Sequence, residues 1–173
     1  MLKPTDRLTD RLKIRHPIIS APMAFAGGGE LAAAVTNAGG LGLIGGGYGD
    51  PAWLEEQFKA AGDTAVGVGF ITWALRKSPS LLTDVLKFNP VAVMLSFGDP
   101  RPFVDEIRSA GALILCQCQT IDHVWDAIDA GADIIVAQAV KPAAMVPRAE
   151  HSPLYRKLQI CWPLRHQIHS CSP

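Results

Sequence analysis

Between Pro17 and Gln138 the chain alternates short β-rich apolar runs with helical segments, one pair every roughly 20–25 residues. The apolar runs are Pro17–Met23, Leu41–Ile44, Thr64–Ile71, Val91–Leu95, Leu113–Cys116 and Asp133–Ala137. Between them the sequence predicts helices over Glu30–Asn37, Asp50–Gly62, Pro79–Phe88, Asp99–Ala110 and Thr120–Ala130. Asp50-Pro51 and Asp99-Pro100 each set a capping carboxylate before a proline suited to the first helical position, and Thr120 offers a hydroxyl cap. Capping is a sufficient role for these three residues. Runs such as Asp133–Ala137 and Ala112–Cys116 show no polar alternation, as expected of strands buried on both faces. The expectation is an α/β fold with about six parallel strands and five helices.

Two architectures fit such repeats, an open doubly wound sheet and a (β/α)8 barrel with its site at the C-terminal ends of the strands. Glycine clusters follow more than one strand, at Gly27–Gly29 and Gly45–Gly47, whereas a dinucleotide-binding sheet needs one glycine fingerprint after its first strand. A repeated rim of small residues favours the barrel. A complete barrel takes about 250 residues, so this chain of 173 is expected to supply an incomplete (β/α)8 TIM barrel.

Composition narrows the class of ligand. Hydrophobic residues make up 49% and charged residues 18%, which excludes a disordered chain. Lysine plus arginine equals aspartate plus glutamate at 16 each, so no global field argues for nucleic acid or a membrane surface, and a small molecule is the expected partner. The start, residues 1–14, is charged and amphipathic and does not resemble a secretory leader. The apolar runs are too short to span a bilayer. A cytoplasmic setting with free thiols is the expectation. Cys116 and Cys118 form a Cys-x-Cys, but no second pair has zinc spacing, so no metal is expected. Nor is Cys116 expected to be a nucleophile, because an apolar strand raises a thiol pKa.

The neutral total conceals a break near Gln138. Residues 1–138 hold 11 basic and 15 acidic residues, net −4, while residues 139–173 hold 5 and 1, net +4. All 16 glycines precede residue 139, and five of the 13 prolines follow it. The chain therefore divides into 1–138, which carries the β/α pattern, and a basic, proline-rich tail over 139–173 outside it. An altered reading frame, a retained intron, an alternative splice form or a lineage-specific terminus would each produce such a junction.

The most distinctive motif is Pro17-Ile-Ile-Ser-Ala-Pro-Met23, followed by the glycine turn and a helix leading to Ala38-Gly-Gly-Leu-Gly-Leu-Ile-Gly45. Gly67–Trp73 (GVGFITW), Leu113–Thr120 (LILCQCQT) and Ala130–Gln138 (AGADIIVAQ) follow in order. Together these resemble the nitronate monooxygenases, also called 2-nitropropane dioxygenases, which are FMN-dependent (β/α)8 barrels. The resemblance covers most of residues 8–138. It implies an FMN cofactor, a nitronate or nitroalkane substrate and O2 as the electron acceptor. Cofactor contacts are expected from Ala21, Pro22, Met23 and Ala24, whose small side chains let backbone approach a flat ring. Gly45 and Gly46 are expected to do the same beside the second run. Gln117 and Gln138 offer neutral amides to flavin nitrogen and oxygen atoms. Phe70, Trp73 and Phe97 are candidates for walls of the site. His16 stands at the entry to the first run, the wrong end for catalysis, and His123 is expected on a helix surface.

The sequence also departs from that family. Its members continue from the sixth strand into Glu-Ala-Gly-Gly-His, whose histidine serves near the nitro group. Here Gln138 is followed by Ala-Val-Lys-Pro, so no catalytic residue is assigned, and His151, His166 and His169 sit in no matching motif. The phosphate-holding loops of the last two β/α units are missing too. Impaired activity is therefore expected, with the first and last strands left as edges open to self-association. The related FMN-dependent enoyl-thioester reductases share the Ala-Pro-Met pattern and give a second enzyme reading. A non-catalytic remnant that binds a full-length homologue gives a third.

Overall fold

The structure, a computed structural model, describes residues 4–138; the tail and its histidines and cysteines lie outside the described residues. Five parallel strands form one sheet: β1 (Leu43–Gly47), β2 (Gly67–Ile71), β3 (Ala92–Ser96), β4 (Leu113–Cys118) and β5 (Ile134–Ala137). Seven helices accompany them: α1 (Pro4–Leu12), α2 (Gly29–Asn37), α3 (Pro51–Ala61), α4 (Thr72–Leu75), α5 (Ser80–Leu86), α6 (Arg101–Ser109) and α7 (Ile121–Asp129).

The spatial order of the strands equals their sequence order, β1-β2-β3-β4-β5, with every pair parallel. A doubly wound sheet reverses its order at a switch point; an order that never reverses is that of a barrel wall. The described residues thus form an incomplete α/β barrel.

The expected first strand forms only an isolated parallel bridge, Ile19 to Leu41. Leu41 N–H donates to Ile18 O at 2.9 Å and Ser20 N–H donates to Leu41 O at 2.9 Å. Pro17 and Pro22 flank this stretch, and neither has an N–H to extend a ladder. The five expected helices are present with shifted ends. Asp50 caps α3 by accepting from Trp53 N–H at 3.1 Å, and Thr120 caps α7 by accepting from His123 N–H at 3.3 Å. Asp99 instead accepts from both Arg101 N–H at 3.0 Å and Arg101 Nε at 2.8 Å, and α6 begins one residue later than expected.

Alternate strand residues face opposite ways. Ile44, Val68, Phe70, Val93, Leu95, Ile114, Cys116 and Cys118 pack outward against helix residues such as Leu54, Leu82, Ile107 and Val124. Leu43, Ala92, Met94, Leu115 and Ile134 form a second cluster on the inner face with Leu41. Leu8, Leu12 and Ile14 pack against that inner cluster, so α1 and its exit cover the N-terminal end of the barrel wall. Arg11 pairs with Asp133, whose other carboxylate oxygen accepts from Ile114 N–H at 2.9 Å. This ties α1 to the entries of β4 and β5 across the sequence.

Candidate functional site

The strand register builds the site in layers. Gly45 pairs with Gly69, Gly69 with Met94, Met94 with Leu115 and Leu115 with Ile134, so one inner layer runs across all five strands. Two of its members are glycines, and the Ser20–Ala24 segment fills the space they leave. A Cβ on Gly69 would lie 2.4 Å from Pro22 Cβ, and one on Gly45 would lie 2.2 Å from Met23 O. The next inward-facing positions, Ile71, Ser96, Gln117 and Val136, stand at the C-terminal ends of the strands.

These positions and the segment together enclose a cavity of about 410 Å³. Ala21, Pro22, Met23 and Ala24 line one side, Gln117 and Gln138 the other, and Met94 and Phe97 also face it. All its side chains are uncharged. Gln117 is half-buried, and its amide makes no hydrogen bond among the described residues. Gln138 Oε1 accepts from Gln119 Nε2 at 2.9 Å, and Gln138 N–H donates to Cys118 O at 2.9 Å. Gln119, which the sequence places on the same side as Gln117, therefore acts on Gln138 and does not line the cavity.

Gly45 and Gly46 are not among the lining residues, whereas Gly47 is. The register of β1 against β2 shifts between Gly45 and Gly47, and the extra residue of that bulge moves the rim by one position. Gly46 is spent on packing, since a Cβ there would sit 2.6 Å from the Phe70 ring. Phe70 reaches the cavity edge but is 2% exposed within the helix-side core. Trp73 stands outside the cavity on α4, where its ring lies 6.0 Å from that of Tyr48 and beneath Lys77 Nζ at 5.2 Å.

Met94, Ser96, Gly69 and Val136 were not singled out from the sequence. The signal that finds them is the period of two: Ala92, Met94 and Ser96 share a face, as do Leu113, Leu115 and Gln117.

Cys116 and Cys118 face the helices, away from the cavity. Burial pushes the Cys116 thiol up from 9.0 to about 12 and the Cys118 thiol to about 11. Cys118 Sγ also donates to His123 O at 3.3 Å. Both thiols are expected to resist a thiol reagent at pH 8 in the folded chain and to react once it is unfolded in urea. Because folding raises these pKa values, the unfolded state holds fewer protons than the folded one between pH 9 and about 12, so stability falls as pH rises through that window. Rapid labelling of both thiols before unfolding would show the outward orientation to be wrong.

Asp99, near the end of the β3–α6 connection, sits between Arg101 at 2.8 Å and Arg76 at 3.5 Å. The hydrogen bond from Arg101 holds its carboxyl below the usual value. His123 is exposed on α7, and His16 lies at the N-terminal end of the barrel wall, bonded through its N–H to Gly39 O at 2.9 Å. Among the described residues no group of three or more His, Cys, Asp or Glu is placed to hold a metal, and no helix is long and apolar enough to cross a membrane.

A family model described as nitronate monooxygenase matches residues 5–70. A nitronate monooxygenase of Pseudomonas aeruginosa is 31% identical over 79% of this chain and 51% of its own length. A probable nitronate monooxygenase of Staphylococcus haemolyticus is 29% identical over 77% of this chain and 48% of its own. Among solved structures, FabK from Thermotoga maritima superposes with a TM-score of 0.68 at 32% identity, covering 76% of this chain and 43% of that one. A nitroalkane oxidase from Streptomyces ansochromogenes gives 0.66 at 27% identity, covering 77% and 48%. The chain spans about half the length of the curated relatives it matches.

Proposed function

We propose that this chain, which belongs to the nitronate monooxygenase family, uses FMN at the C-terminal ends of its strands to oxidise nitronates with O2. Residues 1–138 are the N-terminal part of the FMN-binding barrel in this reading, and 139–173 stand outside the barrel pattern. The observation that carries it is the uncharged cavity between the Ala21–Ala24 segment and the amides of Gln117 and Gln138. Its fit to a flavin rests on that donor set. Two primary amides and a stretch of backbone can meet the alternating donors and acceptors of an isoalloxazine edge, and the apolar lining suits its flat faces.

FMN held there would supply the redox chemistry that couples nitronate oxidation to reduction of O2. Ala21, Pro22, Met23 and Ala24 would hold the ring by backbone and small side chains. Gly45 and Gly46 would act from behind, by allowing that segment to sit against β1 and by setting the bulge. Gln117 and Gln138 would orient the ring without bringing charge into the barrel mouth. No titratable side chain among the described residues lines the cavity to remove an α-proton. The expected substrate is therefore a nitronate that is already an anion, rather than its neutral nitroalkane.

The test is to add FMN to the purified chain, remove free flavin and record the visible spectrum, then follow oxygen uptake with a nitronate and with its parent nitroalkane at pH 7. Retained flavin bands and uptake with the nitronate alone are the expected result. A chain that retains no flavin and consumes no oxygen would be the remnant, paired through its sheet edges with a homologue or with itself. A requirement for a pyridine nucleotide would favour enoyl-thioester reduction instead.

A further inference from the structure

β3 is buried along its whole length and ends at Ser96, whose carbonyl accepts a 2.7 Å hydrogen bond from Thr72 Oγ1. Both residues are buried, so the bond is shielded from water and fixes the end of β3 to the start of α4. The next residue, Phe97, has φ +61°, the left-handed region that a bulky side chain avoids at a cost of order 1 kcal/mol or more. A glycine stands beside it, yet Gly98 adopts no positive φ. It serves close approach instead, since a Cβ there would lie 3.2 Å from Thr72 Cβ. The chain therefore places phenylalanine at the strained position and glycine at the unstrained one.

Core packing does not repay that strain, because Phe97 remains 46% exposed. What the strained backbone achieves is to bring Phe97 to the cavity, together with Met94 and Gln117. Met23, half-exposed across the opening, lines the same space. An aromatic ring and two methionines make an apolar, adaptable wall beside the two amides.

We propose that Phe97 is a specificity-determining residue, held over the cavity by its left-handed backbone and the Thr72–Ser96 bond, and that it selects nitronates carrying a longer alkyl chain. The inference rests on the functional reading above and names the part of the substrate that the described half of the site recognises. The amides keep the ring edge, and Phe97 with Met94 takes the alkyl portion of the nitronate.

The test uses the whole chain labelled with 13C at its methionine methyl groups, titrated with nitronates of unbranched nitroalkanes of two to six carbons, with and without FMN. The Met94 methyl signal reports binding whether or not turnover occurs. In the wild type, affinity is expected to rise by about twofold to fourfold per added carbon, as for partly to fully buried methylenes. In Phe97→Gly and Phe97→Asn that dependence is expected to flatten, the loss of affinity growing with each added carbon. Both variants are expected to melt near the wild-type temperature, since glycine and asparagine accept the left-handed backbone. Phe97→Tyr keeps the ring and should keep the dependence. An unchanged dependence in Phe97→Gly, or an equal loss for every chain length with a lowered melting temperature, overturns the proposal alone. A wild-type chain whose Met94 signal responds to no nitronate overturns the functional reading and this inference with it.

Discussion

Leu115→Ala is expected to lower the stability of the chain by about 2–5 kcal/mol, a large share of the roughly 5–15 kcal/mol available to a domain. Leu115 is fully buried at the middle of β4 and lies on the inner face, paired in register with Met94 and Ile134. It belongs to the cluster that α1 covers through Leu8 and Leu12. Truncation would leave a cavity bounded by several rigid strands, which collapse less readily than a helix surface. Urea unfolding should show a lower midpoint with an unchanged slope. The effect bears on the site as well, because Gln117 follows two residues later on the same face. A loss below about 1 kcal/mol would mean that Leu115 is not in a packed inner layer, and the inward orientation assigned to Gln117 would fall with it.

That inner layer also explains what was legible in the sequence. Strands buried on both faces give unbroken apolar runs, so β2 to β4 stand out; β5 has the same kind of run although only Ile134 of it is buried, and the caps Asp50 and Thr120 mark helix starts by chemistry local to the chain. The period of two then assigns Gln117 to the cavity side and Cys116 and Cys118 to the helix side. What fails is whatever depends on a distant partner. The run from Pro17 to Met23 is apolar like the others, yet its prolines limit it to one bridge. The start of β1 moves from Leu41 to Leu43, because Ile18 and Ser20 use the backbone groups of Leu41. Gly45 and Gly46 read as a rim, but the bulge that brings Gly47 to the cavity arises from pairing with β2 and leaves no local mark. The short α4 carries too few residues for any periodicity. The left-handed backbone of Phe97 leaves no local mark either, and the bond that fixes the carbonyl before it comes from Thr72, 24 residues before Ser96 in the chain.

Among the close approaches that seat the Ala21–Ala24 segment, the one at Gly45 is tightest, and a single methyl group would break it. In Gly45→Ala the new Cβ would meet Met23 O at 2.2 Å and Met23 C at 2.5 Å, both backbone atoms that no rotamer change can move aside. Met23 O is also the acceptor for Gly27 N–H at 2.7 Å and Ala26 N–H at 3.2 Å, and Gly45 N–H donates to Gly27 O at 2.8 Å. Moving the carbonyl therefore disturbs the whole turn, with an expected cost of about 1–3 kcal/mol from overpacking. The same displacement shifts Pro22 and Met23 against the cavity, so Gly45→Ala should lose retained flavin and move the Met23 methyl resonance. Gly62→Ala is the control. Gly62 sits at the end of α3 with φ +60° and ψ −138°, and nothing lies within 4 Å of a new Cβ, so its substitution should cost about 1–3 kcal/mol of backbone strain and leave both site signals unchanged. Thermal unfolding, flavin retention and the Met23 resonance, measured on both variants, separate the effects. If Gly45→Ala melts within about 2 °C of the wild type with an unmoved Met23 signal, the glycine is not what seats the segment. The fit of flavin to that side of the cavity would then lose its structural basis. If both variants lose stability alike but only Gly45→Ala loses flavin, the small residues of β1 serve the site by making room for a backbone rather than by touching the ligand.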